Sequence, residues 1–184
     1  MTAQRTLTNS EVALLGLLSE KPKHAWQVER DVEHRDMRSW TDLSQSTIYR
    51  QLTSLHKVGL VDSTQEEVEG RVRKVYSLTD AGRDALRERL LDLLGEPESP
   101  TWGIDLATYN IDLVPTEDAL AALARYREKL ADEVRCFGET EEYMGSCACP
   151  AHRLAVVRRP RYRLEAEIRW VDDFAAELKV ADHA

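Results

Sequence analysis

The sequence predicts a mainly α protein with a small β-hairpin, organised as an N-terminal and a C-terminal part. Three observations predict this. Apolar residues recur at helical spacing in three successive N-terminal runs, then switch to strand-like alternation between Leu60 and Leu78. The run Gly95-Glu96-Pro97-Glu98-Ser99-Pro100 concentrates residues that interrupt regular structure. Beyond it, two stripes repeat at intervals of three, four or seven residues, as in helices that pack on helices.

Each element has a local reason. Thr8-Asn9-Ser10-Glu11 has the spacing of a capping box, which predicts a helix over 9–20 with Val12, Leu14, Leu15 and Leu18 inward. Lys21-Pro22-Lys23 ends it. A second helix is expected from about His24 to Arg35, with Val28 and Val32 inside, and Ser39 to Leu43 as a connector. Ser44 is placed to cap a third helix with the stripe Ile48, Leu52 and Leu55, and Gly59 is placed to stop it. Two strands follow, Leu60 to about Gln65 and Val72 to Leu78, with Glu66 to Gly70 as the turn. Thr79-Asp80 opens a fourth helix carrying Leu86, Leu90 and Leu93 or Leu94. After the break, Ile104 to Leu113 reads as a short helix. Pro115 opens a long one with Leu123, Leu130 and Phe137 seven apart, and a last helix is expected from near Pro160, with Leu164, Ile168, Val171, Ala175 and Leu178. Two such seams are hard to bury in one thin helical layer, so a partner subunit is expected to cover them.

Composition narrows the function classes. With 42% hydrophobic and 32% charged residues the chain is an ordinary folded protein. Neither an export signal nor an apolar membrane span is evident, so a soluble, cytoplasmic protein with no membrane partner is expected. Three cysteines make a disulfide framework an unnatural reading. The net charge of −8 opposes nucleic acid, but it is unevenly spread. Residues 1–94 hold 14 Lys and Arg against 15 Asp and Glu, whereas 95–184 hold 11 against 18. Leu43 to Val61 contains no acid, yet carries Arg50, His56 and Lys57. Local sign governs docking on DNA more than net charge does.

Three helices, a hairpin and a helix in that order form the winged helix-turn-helix plan, in which the third helix enters the major groove. Gln45, Ser46, Thr47, Tyr49, Arg50 and Ser54 lie off the Ile48/Leu52/Leu55 stripe and offer donors and acceptors to base edges. Arg71, Arg73 and Lys74 set three cations beside Gly70, where a hairpin tip would meet phosphate. Glu66, Glu67 and Glu69 are expected to lie away from phosphate on the approach strand. The domains read as a DNA-binding winged helix-turn-helix over 1–94, a linker over 95–100, and a helical dimerisation and effector domain over 101–184.

The same residues carry a family resemblance. Leu14-Leu15-Gly16-Leu17-Leu18, Lys23-His24-Ala25-Trp26-Gln27-Val28, Ser46-Thr47-Ile48-Tyr49-Arg50-Gln51-Leu52, Leu55-His56-Lys57-Val58-Gly59-Leu60-Val61 and Gly70 through Gly82 resemble PadR-type transcriptional regulators. The C-terminal half is similar to the longer form of that family in length and helix pattern. The resemblance implies a homodimer joined through C-terminal helices, inverted half-sites in promoter DNA, and repression relieved by a small-molecule effector. It carries the groove-reading role to Ser46, Thr47, Tyr49 and Arg50, and wing contacts to Arg71 and Arg73. Ala25-Trp26 and Gln45-Ser46 depart from the family pattern, which usually has Gly-Tyr at the first pair and a residue followed by Gly at the second.

Other features admit further readings. Trp102, Tyr109, Tyr126 and Trp170 are placed either to fill the helical core or to stack on an aromatic effector. Cys136, Cys147, Cys149 and His152 allow an alternative, a loop that holds zinc or senses redox state. A second alternative is a winged-helix module that binds protein. No phosphate loop, nucleophile motif or metal helix of an enzyme is present in the sequence, so no catalysis and no cofactor are expected.

Overall fold

A computed structural model of the chain describes residues 6–68, 71–98 and 101–181. The chain forms two compact units, Met1–Ser99 and Pro100–Ala184.

In the first unit, α1 (Asn9–Glu20) begins at a reciprocal cap. The Thr8 hydroxyl accepts from the Glu11 amide at 3.3 Å, and the Glu11 carboxylate accepts from the Thr8 amide at 3.0 Å. There follow β1 (Lys23–His24), α2 (Ala25–His34), a 3-10 turn (Met37–Ser39), α3 (Gln45–Lys57), β2 (Val61–Val68), β3 (Arg71–Leu78) and α4 (Asp80–Gly95). The core is the inner face of the three expected helices. Leu14, Leu15, Val28, Val32, Ile48, Leu52 and Leu55 are completely buried, joined by Val61 and Tyr76 from the sheet and Leu86 from α4.

Two strand expectations need correction. The hairpin is part of a three-stranded antiparallel sheet of order β1-β3-β2. β1 is too short for alternation to show, but its backbone groups pair with β3 at Lys23↔Tyr76 and His24↔Val75. The turn is also shorter than expected. Glu66, Glu67 and Val68 belong to β2, and the ladder continues through Glu66↔Arg73 to Val68↔Arg71. The weak strand propensity of Glu yields here to continued backbone pairing and an opposite-charge neighbour across the ladder. Glu69, Gly70 and the Arg71 side chain lie outside the described residues.

Gly59 follows the end of α3 at φ +76°, and the Thr79 hydroxyl donates to its carbonyl at 2.8 Å. Thr79 caps α4 by accepting from the Gly82 amide at 3.0 Å. A Cβ at Gly82 would stand 2.0 Å from the Leu60 carbonyl oxygen, so only glycine lets α4 pack this closely. Leu86 is in the core, but Leu90 and Leu94 are exposed, Leu94 at 85%: the far half of α4 runs beyond it.

A buried ion cluster ties these elements together. Lys23, only 1% exposed, donates through Nζ to Asp31 at 2.6 Å and Glu20 at 2.9 Å. Arg35 grips the same Glu20 with two nitrogens at 2.6 and 2.8 Å. The Arg35 hydrogen bonds, assisted by Lys23 and opposed by partial burial, hold the Glu20 carboxyl at about 2 instead of 4.5.

In the second unit, α5 (Gly103–Tyr109) leads through a 3-10 turn (Ile111–Leu113) to α6 (Thr116–Ser146) and α7 (Ala151–Ala181). The last helix therefore starts at Ala151, well before the expected Pro160, which lies inside it. An interior proline removes one helical hydrogen bond. Here Arg158 and Arg161 flank the break and both reach Glu141 of α6, Arg161 at 3.3 Å, so α7 is paired to α6 on both sides of it.

The two apolar seams face each other. Leu123, Leu130 and Val171 are buried, with Tyr126, Leu164, Ile168, Phe174, Ala175 and Leu178 packed around them, half-buried. Thus the seams expected to await a partner already cover one another in part. Arg127 adds a paired contact to Asp172 at 2.6 and 3.1 Å. No helix among the described residues is long and apolar enough to cross a membrane.

Candidate nucleic-acid interface

The reading face of α3 is built at its cap. Ser44 accepts from the Thr47 amide at 3.2 Å, and its hydroxyl also meets those of Ser46 at 3.1 Å and Thr47 at 2.8 Å. Capping satisfies an amide that would otherwise lack a partner and starts the helix one residue later, at Gln45. With Ile48, Leu52 and Leu55 held in the core, the helical period turns Ser46, Tyr49 and Arg50 outward, while Gln45, three residues before Ile48, stands on the side toward α2 and is exposed at the helix's first turn. Tyr49 is 46% exposed, with its phenol available to donate or accept. Thr47 is half-buried and engaged at the cap, and Ser54 is half-buried further along.

The structure adds neighbours that the linear sequence hides. Gln45 Nε2 donates to Glu29 Oε2 of α2 at 3.0 Å. The stretch that is free of acid in sequence thus has a carboxylate at its start in space. On the sheet, Arg73 and Lys74 are adjacent in β3 and so project to opposite faces. Three cations do not form one row. Lys74 is exposed, Arg73 is half-buried, and Glu66 faces Arg73 across the ladder. The Lys74 carbonyl is bonded to His24 Nδ1 at 3.0 Å, which anchors the wing to the start of α2. Beside it, Trp26 stacks on His24 with centroids 6.1 Å apart, and the Arg30 guanidinium lies 5.4 Å from the Trp26 ring centroid. This aromatic and basic platform was legible only as a departure from the family pattern at Trp26.

The other candidate residues fare differently. Trp102 precedes α5 and lies 5.1 Å under Arg163. Trp170 stacks on Phe174 at 5.4 Å, while Tyr109 is 86% exposed. Tyr126 donates to Glu167 at 3.2 Å, and burial followed by that carboxylate raises its phenol above the ordinary 10.0. The four residues of the cysteine loop are spread along the second unit. Cys136 sits within α6, Cys147 and Cys149 in the turn after it, and His152 in the first turn of α7. Eleven helical residues separate Cys136 from Cys147 by about 16 Å, far beyond one metal's coordination sphere. Among the described residues no group of three or more His, Cys, Asp or Glu is arranged to hold a metal ion.

Comparison with known proteins agrees with this architecture. The sequence profile described as the Transcriptional regulator PadR-like family matches residues 14–88, from α1 into α4. No curated protein matches the sequence. Among solved structures, Bacillus subtilis PadR in complex with operator DNA is similar, with a TM-score of 0.77 at 18% identity over 93% of this chain and 99% of that one. The same Bacillus protein with p-coumaric acid aligns at a TM-score of 0.73 and 18% identity, covering 92% of this chain and 98% of the other. The Vibrio cholerae virulence activator AphA aligns at 0.66 and 22% identity, over 93% and 98%. These likenesses establish the fold of both units, and the profile match covers the core and sheet that present the reading face. Over residues 14–88 the chain is similar to the Transcriptional regulator PadR-like family, and over both units its fold is that of the solved PadR structures.

Proposed function

We propose that this regulator binds promoter DNA sequence-specifically as a homodimer and represses transcription until a small aromatic effector releases it. Its work is binding rather than catalysis, carried out in the cytoplasm. The observation that carries this reading is the contrast across α3. One face is completely buried at Ile48, Leu52 and Leu55, while Ser46, Tyr49 and Arg50 stand exposed on the other and Gln45 is exposed at the helix's first turn. The bases are read from that exposed face, with Thr47 helping to order its start. Arg71, Arg73 and Lys74 hold the backbone. The Bacillus protein solved with operator DNA and with p-coumaric acid supports both the DNA and the effector parts.

Dimerisation is assigned to the helical unit over 101–184. After α6 and α7 pack together, their shared cluster stays largely half-buried, and Leu106, Leu113 and Tyr143 remain exposed. Apolar area of this kind favours burial by a second copy at about 25 cal/mol per Å². Two-fold symmetry then sets two reading helices about 34 Å apart on inverted half-sites. Effector contacts are assigned to Trp102, Tyr109 and Trp170, whose rings offer faces to an aromatic ligand. Such a ligand must bind the DNA-incompetent arrangement more tightly.

The test is selection of bound fragments from genomic DNA, followed by Tyr49→Ala and Arg50→Ala. Each variant is expected to fold normally and lose about 1–3 kcal/mol on the selected operator. A folded double variant with undiminished affinity, or failure to retain any fragment, overturns the reading. Sedimentation of the whole chain is expected to give a dimer.

A further inference from the structure

We infer that Glu29 of α2 is a specificity-determining residue that works through Gln45: it orders the Gln45 amide for base reading while repelling phosphate. The inference rests on the DNA reading above and names a residue outside the reading helix.

An exposed glutamine at the start of a helix has a freely rotating amide whose oxygen and nitrogen exchange places easily. Before it can distinguish bases, that end must be set. A carboxylate only accepts hydrogen bonds, so the 3.0 Å contact between Gln45 and Glu29 selects Nε2 as the end facing α2. Oε1 and the second amide hydrogen are left for a ligand. One acceptor and one donor on a planar amide match the N6 donor and N7 acceptor of adenine in the major groove.

Glu29 is itself held. Its side chain is 23% exposed, and Arg38 NH2 lies 3.9 Å from Oε1. Arg38 also donates through Nε to the Leu43 carbonyl at 3.2 Å, just ahead of α3. The three side chains border an open groove that also includes Asp42 and Ser44. The bond contributes little to holding α3 in place, because Ser44 already caps the helix and an exposed contact is worth little. What it does offer is order at the reading face.

The same carboxylate has an electrostatic cost. A helix N-terminus attracts phosphate through its free amides and dipole. Glu29 places negative charge beside that end of α3, which lowers affinity for any duplex. Specificity and affinity are therefore set against each other at one residue. A residue serving only the fold would move both in the same direction.

The experiment uses the full chain, its selected operator, operators with each base pair replaced in turn, and an unrelated duplex. Glu29→Ala is expected to bind the unrelated duplex severalfold more tightly while discrimination at one base pair falls about tenfold. Gln45→Ala is expected to lose discrimination at that same base pair, and adding Glu29→Ala to it should take away no more. Glu29→Gln keeps an acceptor for Nε2, so it is expected to bind unrelated DNA more tightly yet retain discrimination. The inference is overturned if Glu29→Ala weakens every duplex alike with a lowered melting temperature. It is equally overturned if Gln45→Ala abolishes a preference that Glu29→Ala leaves intact. Should Gln45, Tyr49 and Arg50 all be replaceable without effect, the DNA reading itself fails and this inference falls with it.

Discussion

Glu66 stands directly opposite Arg73 across the β2–β3 ladder, and its carboxylate lies 3.7 Å from Nε2 of His24. The wing therefore carries its own acid beside the cation assigned to phosphate. Glu66 lies on β2, the approach strand, and there shares a cross-strand position with Arg73. Where Arg73 holds phosphate, a duplex would compete with the neighbouring Glu66 carboxylate for it.

From that competition, Glu66→Gln is expected to strengthen DNA binding by up to about 1 kcal/mol, roughly fivefold, the range of an exposed charge pair. Arg73→Ala is expected to weaken binding to all sequences and flatten the salt dependence by about one unit of slope. Anisotropy titrations over a range of salt concentrations check both. An unchanged affinity and salt slope for Arg73→Ala would remove Arg73 from the interface, and equal affinities for Glu66→Gln and the natural chain would remove the competition.

Lys23 is a stability residue rather than a DNA contact. Lys23→Met deletes the ammonium between Asp31 and Glu20 and leaves two carboxylates facing one Arg35. Because both acids remain partly in water, the expected loss is about 2–3 kcal/mol, below or at the edge of the ~3–5 of a fully buried pair. Urea unfolding measures it. A loss under about 0.5 kcal/mol would mean that the cluster contributes little.

Glu20 gives this cluster an acid limb. Its folded carboxyl is held at about 2 against an ordinary 4.5, chiefly by Arg35, so the folded chain releases that proton more readily. The stabilisation is fully present above pH ~4.5 and is lost as pH falls toward 2. Glu20→Gln is expected to lower stability at neutral pH and to reduce its fall between those limits. An unchanged slope in that window, followed by denaturant unfolding, counts against the assignment.

Gly82→Ala tests the packing of α4. The added methyl would meet the Leu60 carbonyl at 2.0 Å and Leu78 Cδ1 at 2.8 Å, one of them backbone with little room to yield. The expected destabilisation is about 1–3 kcal/mol, the usual cost of overpacking. Substituting Gly95, which has open space around it, is the control.

Much of this protein is written in local pattern. The Thr8/Glu11 cap, the Ser44 cap, the Gly59 stop and the Ile48/Leu52/Leu55 stripe depend on residues within one or two helical turns. Their physics is local, so spacing alone locates them, and with them the outward side of α3. Tertiary structure decided what distant segments bring to that face. β1 exists because Lys23 and His24 find unpaired backbone on β3, a partner more than fifty residues away that two residues of alternation cannot announce. α7 runs through Pro160, against the local preference of proline, with Arg158 and Arg161 on either side of it paired to Glu141 of α6. Glu29 meets Gln45, and Glu66 meets Arg73, only after helices cross and strands register. Electrostatics acts through space, so an interval without acids in the sequence became a reading face with a carboxylate at its edge.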